Sequence, residues 1–195
     1  NIPAIFMRRD GFTNGATYEE IIEMSIKSKN TQYDVLISDE RYESDHYKDL
    51  QTFYSTHNNG KELKEKALQS MGFYDENKML ANGAVLFQDG YHGKKTEIKC
   101  TVFSGFHKGS EKIVTINQFN GNITSSINYM MEFVNQRMNH TWIKLDNVRK
   151  NIDAYPQRAL FEGIVNAIAH RDYFLDGTQI QLDMFKDRLE ISSPR

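Results

Sequence analysis

The sequence predicts an α+β fold, because helix-forming and strand-forming patterns are interspersed along its 195 residues. Apolar residues recur at helical spacing over 123–138 and again over 156–170. β-Branched and aromatic residues fill 98–106 and 113–119, which is typical of strands. No internal repeat or low-complexity tract is visible, so the alternation of the two patterns indicates mixed helices and sheets.

The composition excludes several classes of protein. With 24 Lys and Arg against 26 Asp and Glu, the net charge is −2, so the overall basic charge that drives non-specific nucleic-acid binding is missing. No apolar run approaches the ~20 residues of a membrane-spanning helix. A hydrophobic fraction of 39% argues against disorder. Cys100 is the only cysteine, which rules out an intrachain disulfide and predicts a reducing, cytoplasmic compartment.

The N-terminal region predicts a strand followed by a helix. Residues 4–9 have strand character and precede a turn-rich stretch. Thr17 and Glu20 form a capping-box pattern, which predicts a helix over 17–29.

The next segment predicts a linker and two helices. Residues 30–44 are polar and mixed, which indicates a linker around a short strand at 35–37. One helix is expected over 45–56. A second helix is expected after Asn59-Gly60, and it ends near Gly72 because glycine commonly follows the last helical residue.

The middle of the chain alternates strands and helices. The apolar stretch at 84–87 is too short for its period to be read, and it fits a strand and a helix equally well. The strands expected at 98–106 and 113–119 are joined by a polar connection that contains glycine. Asn122 precedes the amphipathic pattern and predicts a helix capped by its side chain. Residues 142–148 fit an exposed strand only loosely.

The C-terminal part predicts one helix and one hairpin. Pro156 indicates the start of the helix, because its missing N–H would have no partner in the first turn anyway. The helix is expected to run to about His170. Residues 179–185 and 188–192 then predict a hairpin around a polar turn.

The helix after Pro156 carries the clearest chemical pattern. Its polar residues recur every fourth position and predict a ladder of Arg158, Glu162, Asn166 and His170. An Asn oxygen can ligate a hard cation such as Mg²⁺, and a Glu can orient or deprotonate a water for attack on a phosphoryl group. On spacing alone, the solvated face of an ordinary amphipathic helix explains the same pattern better.

A denser set of residues gives this helix a context. Its members are Tyr155-Pro156, Ala159-Leu160, Glu162, Val165-Asn166-Ala167, His170-Arg171-Asp172-Tyr173, Gly177, Asp187-Arg188-Leu189-Glu190-Ile191 and Ser193-Pro194. With them, the segment resembles the divergent ATPase-like domain of Schlafen-related bacterial transcriptional regulators, which are often described as RecG-like ATP-dependent DNA helicases. It is similar to the N-box of GHKL-type ATPases, the Bergerat fold, where a Glu and an Asn lie one helical turn apart.

The resemblance extends towards the N-terminus. Residues 6–11 and 16–21 resemble the closing strand and trailing helix of the AlbA-type DNA-binding domain that precedes this region in the same family. Residues 82–87 and 98–100 fall where the family has an intermediate α/β region. The resemblance therefore implies three regions: the tail of a DNA-binding domain at 1–30, an intermediate α/β region at 31–154, and the first part of a GHKL-like ATPase domain at 155–195.

The resemblance also implies roles for individual side chains. Glu162 maps to the catalytic-base position and Asn166 to the Mg²⁺-ligand position, so that Mg-ATP would bind beside them in the intact protein. Asn166, His170 and Arg171 are the implied cofactor contacts. The other interpretation of His170 and Arg171 is that they simply end the helix, with Arg171 near the negative end of the helix dipole.

The DNA-binding and nucleotide-binding parts of the family extend past both ends of this sequence. Arg8 and Arg9 can contact DNA phosphates, although two arginines on a strand are also an ordinary surface feature. The family's adenine-binding Asp and Gly-rich lid would follow Arg195. We therefore expect a window across a longer protein, with Mg-ATP bound by the intact protein rather than by this part alone.

Two other functions remain open at this stage. One is a non-enzymatic dimerisation or interaction module that keeps the ATPase-like scaffold for packing, with a homo-oligomer as its product. The other is a DNA-stimulated ATPase. No G-x-x-x-x-G-K-[ST] phosphate loop occurs, so a helicase motor is not expected within this sequence. The six histidines and Cys100 show no close metal-ligand spacing, so no structural zinc site is expected.

Overall fold

The N-terminal part forms a short hairpin. A computed structural model describes residues 6–9, 12–15, 17, 32–109, 112–138, 140–145 and 148–194. Strand β1 (Phe6–Arg9) pairs antiparallel with β2 (Phe12–Gly15). β1 confirms the strand predicted over 4–9 for the four residues described there. The helix predicted over 17–29 lies outside the described residues, apart from Thr17.

The segment from residue 33 to residue 85 builds the smaller of the two hydrophobic cores found among the described residues. In chain order it contains a 3-10 helix (Tyr33–Val35), β3 (Ile37–Arg41), a second 3-10 helix (Ser44–Tyr47), α1 (Lys48–His57), α2 (Glu65–Ser70), β4 (Met79–Ala81) and α3 (Asn82–Val85). β3 and β4 pair antiparallel. Tyr47, Leu68 and Leu80 are fully buried at the centre of this core.

In this segment the sequence predicted the two helices correctly and one strand only in part. The two helices expected over 45–56 and before Gly72 are confirmed as α1 and α2. Gly72 adopts a φ of +74°, the left-handed conformation that glycine permits at the end of a helix. The strand predicted at 35–37 is wrong for its first two residues, because a 3-10 turn delays the strand until Ile37. The undecided stretch at 84–87 begins within the single-turn helix α3.

The second half of the chain builds the main sheet and the two helices that cover it. Its elements are a 3-10 helix (Lys94–Thr96), β5 (Ile98–Phe103), β6 (Ile113–Phe119), α4 (Ile123–Asn135), β7 (His140–Leu145), β8 (Val148–Asp153), α5 (Gln157–Ala169), β9 (Ile180–Met184) and β10 (Leu189–Ser192). The strand order in the sheet is β10-β9-β5-β6. β5 runs parallel to β9, and both outer pairs are antiparallel. β7 and β8 form a separate hairpin.

The larger core lies between this sheet and its two helices. Alternate residues of β5 and β9, such as Cys100 and Leu182, are fully buried in it. Met130 of α4 and Ile164 of α5 are also fully buried in it. Mixed helices and sheets therefore confirm the predicted α+β class. None of the helices in the described part of the chain is long and apolar enough to cross a bilayer.

In the second half of the chain, sequence patterns predicted a helix cap and a hairpin that the structure contains. The cap at Asn122 is confirmed, because its Oδ1 accepts a hydrogen bond from the Ser125 N–H at 2.8 Å. The predicted hairpin is confirmed as β9 and β10. The strand expected over 142–148 is in fact the hairpin of β7 and β8.

The expected boundary between 154 and 155 stays a prediction. In the structure, β9 and β10 from the last segment share the main sheet with β5 and β6.

Candidate functional site

Helix α5 positions the residues singled out by the sequence. Pro156 is its N-cap residue, and the Leu160 N–H donates to the Pro156 carbonyl at 3.0 Å. Leu160, Ile164 and Ile168 recur at helical spacing and are buried against the sheet and α4. Their burial fixes the rotation of the helix about its axis, so that the opposite face points to solvent.

The polar ladder lies on that solvent face, as predicted. Arg158, Glu162, Asn166 and His170 are all exposed. The Arg158 Nε donates to the Glu162 Oε1 at 2.8 Å, which holds the carboxylate beside the first turn of the helix. The backbone N–H of His170 donates to the backbone carbonyl of Asn166 at 3.0 Å, so His170 closes the last turn of α5. Glu162 and Asn166 thus lie one turn apart on an open surface.

The residues after β10 dock onto the end of the same helix. The Ser193 Oγ donates to the Ala167 carbonyl at 2.6 Å. The Asp172 N–H donates to the Pro194 carbonyl at 3.0 Å. Two stretches that the resemblance singled out, around Asp172 and at Ser193-Pro194, are therefore in direct contact.

Arg171 faces the interior and not the ladder. Its side chain is only 5% exposed, and its Nη2 donates to the Thr178 carbonyl at 2.7 Å. Its guanidinium carbon lies 5.5 Å from the centre of the Tyr173 ring. Burial lowers the pKa of Arg171 and raises the pKa of Tyr173 to about 12. This guanidinium thus links the end of α5 to the connection before β9, and its cofactor role stays a prediction.

The two N-terminal arginines lie in a different part of the fold. Arg8 and Arg9 belong to β1, where they pair with Thr13 and Phe12 of β2. That pair of strands forms a sheet of its own, apart from the sheet that α5 covers. Contact between these arginines and DNA phosphates stays a prediction.

Two groups of side chains in the described residues have atoms that could ligate a metal ion. The Glu162 carboxylate and the Asn166 carboxamide are exposed and provide the oxygen atoms that Mg²⁺ prefers. Glu43, Asp45 and His46, just before α1, also have ligand atoms within 4.8 Å of one another, but all three are exposed. An exposed group of this kind is common on protein surfaces, and nothing else in the fold points to it.

The sequence did not predict one cluster of charged side chains, which surrounds Asp183. Asp183 of β9 is almost fully buried, and the Lys108 Nζ lies 2.7 Å from its Oδ2. Glu190 of β10 lies 3.5 Å from the same ammonium group and accepts a hydrogen bond from the Arg188 Nε at 2.8 Å. The one sequence signal was Asp183 itself, a carboxylate between two apolar residues of a predicted strand.

Comparisons with known proteins add a fold but no function. No protein family matches the sequence, and no curated protein is detectably similar to it. The chain superposes on the crystal structure of the DIP2311 protein from Corynebacterium diphtheriae with a TM-score of 0.63 and 16% identity. The match covers 98% of this chain and 39% of that chain. The likeness therefore shows a shared fold, and the chain spans about two fifths of the length of that protein.

Proposed function

We propose that this chain belongs to a DNA-binding transcriptional regulator in which Mg-ATP binds at the solvent face of α5. The observation that carries the proposal is the position of Glu162 and Asn166, one turn apart and both exposed. The rest of the helix is fixed by burial of Leu160, Ile164 and Ile168, so the two polar side chains are held on a rigid element. A regulator of this kind would be cytoplasmic.

The two residues have complementary chemistry. The Asn166 oxygen would be a Mg²⁺ ligand, and the cation would offset the charge of the nucleotide phosphates. The Glu162 carboxylate would orient a water or accept its proton, which requires a free carboxylate oxygen. Within the described residues, the side chain of Glu162 has one hydrogen bond, which its Oε1 accepts from Arg158. Its other oxygen, Oε2, remains available for that role.

DNA binding is the second part of the proposal. The family resemblance places a DNA-binding domain around and before β1, where Arg8 and Arg9 would contact phosphates. Binding of Mg-ATP at α5 would then shift the arrangement of subunits on DNA.

Thermal melting of the intact protein with and without Mg-ATP tests nucleotide binding. A ligand at about 100 times its Kd stabilises the folded state by roughly 2.7 kcal/mol, which raises the melting temperature. We expect N166A to abolish this rise and N128A to retain it. Asn128 is the matched control because it is an exposed asparagine on α4. The absence of any rise at millimolar nucleotide would overturn the proposal.

A second candidate is a non-enzymatic interaction module, and one contact and one buried side chain favour it. Glu162 is already paired with Arg158, and Arg171 is buried inside the fold. On this hypothesis E162A and N166A leave regulation intact, whereas substitutions on an exposed apolar surface abolish it. ATP hydrolysis that DNA stimulates would instead identify the protein as a nucleic-acid-dependent ATPase.

A further inference from the structure

The last turn of α5 depends on a hydrogen-bond donor from outside the helix. The final carbonyls of a helix have no N–H of the same helix to bind. The Arg171 N–H, which would reach the Ala167 carbonyl if the helix continued, donates instead to the Ile168 carbonyl at 3.4 Å. In the part of the chain that the structure describes, the Ala167 carbonyl therefore has no backbone N–H partner. It needs another donor, because Ala167 is buried.

Ser193 supplies that donor. It directly follows β10 in the chain, and its Oγ donates to the Ala167 carbonyl at 2.6 Å. The carbonyl of the next residue, Pro194, accepts the Asp172 N–H at 3.0 Å. The segment after β10 therefore binds both the last turn of α5 and the turn that follows it.

The contact between β10 and α5 includes the turn that carries Asn166. A Cβ atom at Gly163 would lie 3.5 Å from the Cδ1 of Ile191, so β10 passes close to the helix there. The Ser193 bond to Ala167 comes one turn later. Asn166 lies in the last turn of α5, where helices fray, whereas Glu162 lies one turn further inside. A restraint at Ala167 therefore acts on Asn166 more than on Glu162.

We propose that Ser193 is a positioning residue for Asn166, the Mg²⁺ ligand of the proposed function. The inference rests on that function and adds what holds its metal ligand in place. A ligand must be held within about 0.5 Å of the productive geometry. Because the Asn166 side chain is exposed, its position is set through the backbone of this turn. The Ser193 hydroxyl fixes that backbone at the next residue, Ala167.

Isothermal titration of the intact protein with Mg-ATP tests the positioning role. S193A should raise the Kd for Mg-ATP by roughly tenfold, because loss of a group that orients a metal ligand typically lowers metal affinity by 10–100-fold. S193T keeps a hydroxyl donor and should restore binding. S70A is the matched control, since the Ser70 Oγ also donates to a helix carbonyl, that of Lys66 at 2.8 Å, but on α2. It should leave the Kd unchanged.

Amide hydrogen exchange without nucleotide tests the restraint itself. S193A should accelerate exchange of the His170 N–H by about fivefold, the effect of one lost hydrogen bond on local opening, and S193T should not. Unchanged exchange in S193A, or faster exchange with an unchanged Kd, would overturn the inference. Wild-type binding of Mg-ATP that S193A leaves intact would overturn the inference alone. A wild-type protein that does not bind Mg-ATP would overturn the proposed function, and this inference with it.

Discussion

The Lys108 Nζ lies 2.7 Å from the Oδ2 of Asp183, whose side chain is only 4% exposed in the sheet face opposite α4 and α5. The loop that contains Lys108 is anchored there, because the Lys186 N–H donates to the Gly105 carbonyl at 3.1 Å and the Arg188 Nη1 donates to the Phe106 carbonyl at 2.8 Å. Hydrogen bonding to Asp183 raises the pKa of Lys108, so the cation persists throughout the neutral range. The loop thus supplies the charge that a buried carboxylate needs.

Removal of that cation should destabilise the protein. K108M leaves the Asp183 carboxylate buried beside a thioether, and we expect a loss of about 2 kcal/mol in the free energy of unfolding. The loss falls short of the value for a fully buried pair because the Lys108 side chain is 48% exposed and water screens it. Urea unfolding measures the change. K112M, at an exposed lysine of the same hairpin, should be neutral, and an equal effect of both variants would contradict this account.

The cap of α4 gives a second prediction. The Asn122 Oδ1 accepts from the Ser125 N–H, and its Nδ2 donates to the Asp49 Oδ2 at 2.8 Å, which links α4 to α1. N122A removes these two bonds at a buried position, together with those that Oδ1 accepts from the hydroxyls of Thr124 and Ser125, so we expect a loss of about 2 kcal/mol in urea unfolding. N122S keeps a capping oxygen but cannot reach both partners, and it should fall between N122A and wild type. A serine variant as unstable as the alanine variant would assign the whole effect to the Asp49 contact.

Local patterns predicted the parts of the fold that local contacts determine. Asn122 and Pro156 each predicted the helix they begin, because a cap depends on the next few residues of the chain. The ladder from Arg158 to His170 was placed on one exposed face by helical periodicity alone. These features need no knowledge of the rest of the molecule.

Features that depend on distant segments were not predictable in the same way. The parallel pairing of β5 with β9 joins strands that are separated in the chain by β6, two helices and the β7-β8 hairpin, and neither strand indicates its partner. Arg171 belongs to the same stretch as His170, yet one is buried and the other exposed. Arg171 contacts Thr178 and Tyr173 in the interior, and both residues follow α5 in the chain. Residue types in a motif therefore gave the chemistry of the site but not the orientation of each side chain.

The buried thiol of Cys100 makes alkaline stability a third test. Burial raises its pKa from 9.0 to about 12, so the folded protein keeps the thiol protonated where the unfolded chain does not. The stabilising effect is complete below pH 9 and decreases as the pH rises towards 12, with a slope of at most about 1.4 kcal/mol per pH unit for this one proton. C100A should have a shallower decrease in urea-unfolding free energy between pH 8 and pH 10 than wild type. Comparison of the slopes removes the constant cost of the smaller side chain. Identical slopes would show that the thiol titrates alike in both states.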